Sequence, residues 1–391
     1  MHSPEFAQLS GCLPCAPAYA WNWDGLMRSG LAPLFQGMAV TQQNPIWHGE
    51  GDVWTHTRMV CEALARLPGF RSLPLRRQRE LSMAALLHDA GKISCTREED
   101  GALVSPRHGA VGAQEVRRLL WQDFALSGDP EAQCFRETVC LLIRYHTAPL
   151  HLMDNPDPRL RARKLAANGA LATDFTLRML CLLAEADVRG RICDDAQELL
   201  ETIQLGMALA EEAECLDGPY DFPSAHTRRA YLAGRNVWPE QALYDDAWGE
   251  VILLCGLPGT GKDTWIAQHH PELPVVCMDD IRRQLGVNPP DKQGTVVQAA
   301  REQARAHLRA KQPFIWNATG VTPMMREKNI RLFEEYHAAV RIVYLETGWQ
   351  ENLRRNSQRR CAVPESVVNQ MLAKLIPPEA DEARQVDWLC V

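Results

Sequence analysis

The chain has 391 residues and a mass of 44.0 kDa, too long for one ordinary domain and suited to two or three. Apolar residues make up 46% and charged residues 23%, which excludes disorder over most of the length. The net charge of −7 excludes a uniformly basic coat for nucleic acid, yet residues 250–391 carry 18 basic and 17 acidic side chains, so the acidic excess lies before them.

Residues 1–45, rich in Pro, Trp and Gly, take no readable fold. They lack the basic start and apolar core of a signal peptide, and no apolar run approaches the ~18 residues of a membrane span. The 13 cysteines have no framework spacing, and Cys12-x-x-Cys15 has no partner pair to complete a zinc site. Reduced thiols, a cytoplasmic location and no membrane partner are expected.

From 46 to 216 the apolar spacing predicts an all-α unit. Val53, Val60, Leu64 and Leu67 form one stripe, and Leu81, Ala84, Ala85 and Leu87 the next. Val139, Leu142 and Ile143 give another, as do Leu180, Leu183 and Ala184. Residues 217–249, punctuated by Gly218-Pro219, Pro223, Gly234 and Pro239, read as a linker. In 250–391, short apolar runs at 251–255, 275–278, 314–316 and 340–345 alternate with helical segments. That order predicts an α/β domain with a parallel sheet flanked by helices.

In the helical half, His56 lies between Val53 and Val60 at helical spacing, and His88 lies two turns after Leu81. His146 follows Leu142 by one turn, and Asp187 follows Leu183 likewise. All four therefore share the inward faces of their own helices. Buried imidazoles and carboxylates need partners, and a set converging from separate helices is most economically satisfied by a shared divalent transition metal. Asp89, directly after His88, belongs to the same set. Independently satisfied core histidines are the alternative. His48, Glu50 and Asp52, just ahead of the first of these helices, read as capping and packing residues, with a catalytic role as the alternative.

In the α/β half, Gly256-Leu257-Pro258-Gly259-Thr260-Gly261-Lys262 directly follows the first strand. Glycines let the backbone wrap a phosphate, the lysine reaches the outer phosphates, and the next helix presents its positive end. This predicts ATP binding. After the lysine stands Asp263 in place of the usual Ser or Thr, with Thr264 next. Either Thr264 supplies a hydroxyl to Mg²⁺ or Asp263 binds it as an anion, with strict Mg²⁺ dependence in both cases; a crippled site is the third option. Asp279 directly follows the second strand, where a carboxylate can take the proton of an attacking hydroxyl, and Arg282 can hold a substrate phosphate. Arg355 and Arg359, four apart, share a helix face suited to clamping ATP phosphates.

The second half resembles the kinase module of phage polynucleotide kinase in its GLPGTGKDTW loop, its DDIR element, its NAT element at 317–319 and its RRNSQRRCAVP run at 354–364. The resemblance implies Asp279 as general base toward a 5′-hydroxyl, Arg282 on the nucleotide's 3′-phosphate, Lys262 on the β- and γ-phosphates, and Arg355 and Arg359 in a lid. Asn317 stands where that family often has an aspartate. The first half resembles the HD phosphohydrolases through His56, His88-Asp89 and Asp187. That resemblance implies His108 and His146 as ligands of a second metal and Lys92 as a phosphate contact.

The order of the halves is similar to the bacterial bifunctional HD-domain–polynucleotide kinase RNA-repair enzymes. It implies ATP with Mg²⁺ in one half and Mn, Ni, Co, Zn or Fe in the other. It further implies RNA or DNA ends as substrates and a functional partnership with an RNA ligase. An HD nucleotide phosphohydrolase fused to a nucleoside or sugar kinase is the alternative.

Overall fold

Residues 3–287, 293–359 and 361–391 are described by a computed structural model, in which the chain divides into two units, Met1–Tyr220 and Asp221–Val391. The first unit runs α1 (Pro4–Ser10), α2 (Trp23–Met27), α3 (Ala32–Val40), α4 (Val53–Arg66), α5 (Pro68–Arg71), α6 (Leu75–Leu87) and α7 (Lys92–Cys95). A hairpin of β1 (Arg97–Glu99) and β2 (Ala102–Val104) follows, then α8 (His108–Gln122), α9 (Pro130–Tyr145), α10 (Pro158–Ala166), α11 (Leu177–Arg189) and α12 (Ala196–Glu212).

Capping chemistry starts several of these helices: Asp52, Asp129, Asp157 and Thr176 each accept a bond from an amide of the first turn. The stripes then meet. Val60, Leu64, Leu81, Ala85, Leu142, Leu180 and Leu183 belong to one buried cluster, so α4, α6, α9 and α11 turn their inward faces to a common core. Residues 1–45, unreadable in sequence, supply Phe6, Leu9, Leu26, Leu31, Phe35 and Met38 to that same core. Trp21 Nε1 donates to the Cys61 carbonyl at 2.9 Å, tying the segment to α4. The hairpin was not expected within an all-α unit. Its Asp100-Gly101 corner, with φ of 50° and 77°, is the two-residue turn that this dipeptide favours.

The second unit begins with α13 (Ala225–Leu232) and continues β3 (Glu250–Cys255), α14 (Lys262–His269), β4 (Val275–Cys277), α15 (Met278–Gln284) and α16 (Gly294–Arg309). It closes with β5 (Phe314–Asn317), α17 (Pro323–Glu335), β6 (Ala339–Glu346), α18 (Trp349–Ser357), α19 (Glu365–Ala373) and β7 (Gln385–Cys390). The sheet order is β4-β5-β3-β6-β7, with every pairing parallel. Four strands stand where the apolar runs predicted them. β7 was missed because Gln385 and Asp387 interrupt its apolar pattern, as suits an edge strand.

The linker expected at 217–249 needs correction. Its residues from 221 onward fold onto the second unit: Arg229 bonds Glu334 at 2.7 Å and the Asp381 carbonyl at 2.6 Å, and Trp248 Nε1 bonds the Tyr336 carbonyl at 2.7 Å. The breakers there shape a packed segment rather than a free one. Among the described residues no disulfide is formed, and no helix is long and apolar enough to cross a membrane.

Candidate metal centre and nucleotide site

In the helical unit, α4 contributes His56, the C-terminal end of α6 His88 and Asp89, the start of α8 His108, the end of α9 His146, and α11 Asp187. The structure brings all six together. Asp89 lies in the middle, its Oδ2 3.3 Å from His88 Nε2 and 3.7 Å from His56 Nε2, its Oδ1 3.3 Å from His108 Nε2 and 3.9 Å from His146 Nε2. Asp187 Oδ1 lies 3.0 Å from His56 Nε2 and 3.9 Å from His88 Nε2. Two groups able to hold a metal result, His56–His88–Asp187 and Asp89–His108–His146.

Ring orientation shows what these groups are built for. The Nδ1 atoms of His88, His108 and His146 lie 2.8, 2.8 and 2.7 Å from the carbonyls of Ala85, Ser105 and Ile143. A carbonyl can only accept, so each Nδ1 carries the proton and each Nε2 turns a lone pair inward. At His56, Glu50 Oε1 stands 2.7 Å from Nδ1 as an ion-pair contact without hydrogen-bond alignment. Two such lone pairs, on His108 and His146, face each other at 3.1 Å. That is unfavourable unless a cation stands between them. His56 Nε2, His88 Nε2 and Asp89 Oδ1 are buried without an aligned hydrogen-bond partner. Orphaned acceptors of this kind fit a divalent metal, with Asp89 shared between two positions.

The charges agree with that use except at His56, where burial opposes protonation and Asp187 and Glu50 overcome it. Burial opposes ionisation of Asp89, but the Lys92 ammonium and the neighbouring imidazoles hold its carboxyl well below the usual range. Burial likewise opposes Asp187, and Arg191 overcomes it. Burial pushes His146 down to about 3, which leaves it neutral and able to ligate. Lys92 Nζ stands 2.8 Å from Asp89 Oδ2 and 2.6 Å from Gln43 Oε1, at the rim of the cluster.

Asp52 caps α4, as the sequence suggested, but Glu50 and His48 do more than pack. Glu50 joins His48 at 2.9 Å, His56 at 2.7 Å and the Ile192 amide at 2.9 Å. Gln43 and Arg191 were missed as well. Arg191 grips both oxygens of Asp187 from one helical turn further on, a spacing visible in sequence. The reason for Gly91 was missed too: a Cβ there would lie 2.2 Å from the His108 carbonyl oxygen and 2.6 Å from the Gly112 nitrogen. The glycine in His-Asp-Ala-Gly-Lys lets α8 carry His108 up to Asp89.

In the α/β unit, the loop leaves central strand β3 and enters α14 at Lys262. Gly256, Gly259 and Gly261 take φ of 140°, 89° and 84°, which side-chain-bearing residues avoid. Lys262 Nζ donates to the carbonyls of Gly256 and Leu257 at 2.9 Å each, and burial lowers its pKa to about 8. Asp263 Oδ1 accepts a 2.7 Å bond from Asn317 Nδ2, while Thr264 is exposed on α14. Asp279 meets Arg282 at 2.5 Å and Arg359 at 3.1 Å. Burial opposes its charge, and the two guanidiniums more than offset it, so Asp279 is ionised at neutral pH.

Arg355 stands near the loop, 3.5 Å from where a Cβ on Gly261 would lie, and pairs with Glu351 at 2.6 Å. Arg360, part of the basic run, lies outside the described residues. Asn352, which sequence reasoning missed, fastens α18 to the loop through a 2.9 Å bond to the Pro258 carbonyl. Beside the loop opens a cavity of about 360 Å³ lined in part by Asp263, Cys277, Asp280 and Asn317.

A family model described as an HD domain matches residues 53–183, and one described as an AAA domain matches residues 251–378. An HD phosphohydrolase-type domain is followed by a P-loop, kinase-like domain. A curated relative, the multifunctional CCA protein of Ralstonia nicotianae, is 27% identical over 209 residues, which are 52% of this chain and 45% of that protein. The chain thus spans less than half the length of that relative.

Proposed function

We propose that the chain repairs broken RNA ends, with the HD domain removing a 2′,3′-cyclic, 2′- or 3′-phosphate and the kinase-like domain phosphorylating the 5′-hydroxyl. The observation that carries this reading is that one chain holds both a metal-competent cluster around Asp89 and a phosphate loop accompanied by an arginine-flanked Asp279. A strand break with a phosphate on one side and a hydroxyl on the other needs both chemistries before a ligase can join it. Similarity to a protein named as multifunctional agrees with two activities in one chain.

In the HD domain, His56, His88, Asp89, Asp187, His108 and His146 would hold Mn, Ni, Co, Zn or Fe. Such an ion supplies an acidified water and charge neutralisation for ester hydrolysis. Lys92 offers an ammonium to the phosphate oxygens beside Asp89. The ring protons of His88, His108 and His146 stay on their Nδ1 atoms, held by carbonyls, so those ligand nitrogens remain unprotonated through the reaction.

In the kinase-like domain, the main-chain amides of 256–262 and Lys262 cradle the phosphates of ATP. Asp279 takes the proton of the 5′-hydroxyl as its oxygen bonds to the γ-phosphorus and the β–γ bridge breaks toward ADP. Arg282 holds the 3′-phosphate of the acceptor nucleotide. Arg355 and Arg359 meet the charge that develops on the transferring group. Asp263 would hold the accompanying Mg²⁺.

The test is an RNA bearing a 5′-hydroxyl and a 2′,3′-cyclic phosphate, incubated with ATP and each divalent metal in turn. A 5′-phosphate and a 3′-terminal hydroxyl are expected. If neither forms with any metal, the proposal fails.

A further inference from the structure

A second group of possible ligands lies apart from the Asp89 cluster. Glu80 of α6, Cys134 of α9 and Asp174, just ahead of α11, each bring one ligand atom to within 4.8 Å of the others. They precede His88, His146 and Asp187 by 8, 12 and 13 residues, which places them roughly 12–20 Å from that cluster along the same three helices. The Glu80 side chain is 0% exposed, and its Oε2 is buried without a hydrogen-bond partner. Arg76 stands 3.3 Å from the other oxygen, Oε1, and 2.7 Å from Asp174 Oδ2. Thr138 fixes the backbone around the group: its hydroxyl donates to the Cys134 carbonyl at 2.7 Å and accepts from the Asp174 amide at 2.9 Å. Cys134 itself is a half-buried free thiol.

We propose that Glu80, Cys134 and Asp174 bind one Zn²⁺-like ion, at a site separate from the Asp89 cluster and independent of the end-repair reading. Buried polar atoms are rarely left unpaired, so the orphaned Oε2 calls for a partner. Charge says which kind. With the thiol ionised, the three ligands carry three negative charges; Arg76 cancels one and a divalent ion cancels the other two. The sulfur selects the metal. Mg²⁺ and Ca²⁺ take oxygen ligands, whereas a thiolate with two carboxylates suits Zn²⁺, with bonds of ~2.0–2.3 Å. Binding expels the thiol proton, and only in the metal-free protein does Glu80 keep a proton in place of the ion. The ion ties α6 to α9 and to the entry of α11, three helices that carry ligands of the Asp89 cluster at their other ends. Its role is to stabilise that arrangement rather than to meet the ester.

Co²⁺ is the probe, because a thiolate ligand gives it an intense near-ultraviolet charge-transfer band and the Asp89 cluster contains no cysteine. The full chain, stripped of metal and titrated with Co²⁺, should develop that band, and Zn²⁺ should bleach it. Cys134→Ser should abolish the band, and Asp89→Ala should keep it. Glu80→Gln and Asp174→Asn should each weaken the Co²⁺ affinity read from the band by at least tenfold. Zn²⁺ should raise the unfolding temperature of the Asp89→Ala protein, and should not do so once Cys134→Ser is added. No band in the folded wild type, or a band that survives Cys134→Ser, overturns the site. Unchanged affinity in both carboxylate variants overturns it as well. Circular dichroism of each metal-free variant separates a lost ligand from a lost fold.

Discussion

Asn317 donates its side-chain amide to Asp263 over 2.7 Å, joining the end of β5 to the first turn of α14. In phosphate loops generally the residue after the lysine is Ser or Thr, and a strand-borne aspartate completes the Mg²⁺ site. Here the carboxylate stands on the loop side and the neutral group on the strand. The charge count is kept, with the two positions exchanged. Asp263→Asn should therefore weaken ATP binding at least tenfold in Mg²⁺ and leave it little changed in chelator, read by titration calorimetry. The double change Asp263→Ser with Asn317→Asp should recover affinity that neither single change retains. Wild-type Mg²⁺ dependence in Asp263→Asn would assign the metal to Thr264 instead.

Glu50 lies 2.7 Å from His56 and 2.9 Å from His48. Its carboxyl is opposed by burial, yet His48, His56 and the Ile192 amide hold it below the usual range, so it stays anionic beside the ring. Glu50→Gln should lower metal affinity by ~10–100-fold while the metal-free protein unfolds near the wild-type temperature. Calorimetric titration of the metal checks this. Equal metal affinity would make Glu50 a packing residue.

Gly91 sets the approach of α8. With a Cβ confronting backbone atoms at 2.2 and 2.6 Å, Gly91→Ala must displace the start of α8. A loss on the order of several kcal/mol of stability is expected, with loss of bound metal. Gly218→Ala, where a Cβ would meet nothing within 4 Å, serves as the neutral control. Unfolding curves and metal content of the two variants decide it.

Glu80 provides a pH signature away from the metal cluster. Burial, then the Asp174 charge, raises its pKa to about 8 against the attraction of Arg76, which lies 3.3 Å from it and 2.7 Å from Asp174. The folded state thus keeps a proton that the unfolded chain releases near 4.5, and the stability this gives is lost as pH rises toward 8. The loss across that interval is on the order of a few kcal/mol. Glu80→Gln should gain stability over wild type between pH 5 and pH 8. A constant difference across that range would contradict the assignment.

Much of the site was legible because its residues sit at helical spacing from apolar neighbours. His56, His88, His146 and Asp187 could be placed inward by counting from Val53, Leu81, Leu142 and Leu183. His108 could not be placed that way, since it opens its helix and reaches Asp89 only through the glycine contact at Gly91. Glu50 and Gln43 lie outside regular elements, where no periodicity tells which way a side chain turns. The kinase-like half was legible in its glycines and strands. β7 and the packing of 221–249 were not, because edge strands and irregular segments are fixed by tertiary partners such as Glu334.

If two independent centres act on the two ends of one break, each can be silenced without the other. The decisive assay follows both ends of a single RNA, carrying a 5′-hydroxyl and a 2′,3′-cyclic phosphate, with Asp89→Ala and Lys262→Ala proteins in ATP and metal. Asp89→Ala should still phosphorylate the 5′ end and leave the cyclic phosphate intact, while Lys262→Ala should open and remove the phosphate and leave the 5′ end bare. Loss of both reactions in either folded variant would refute the separation of the two centres.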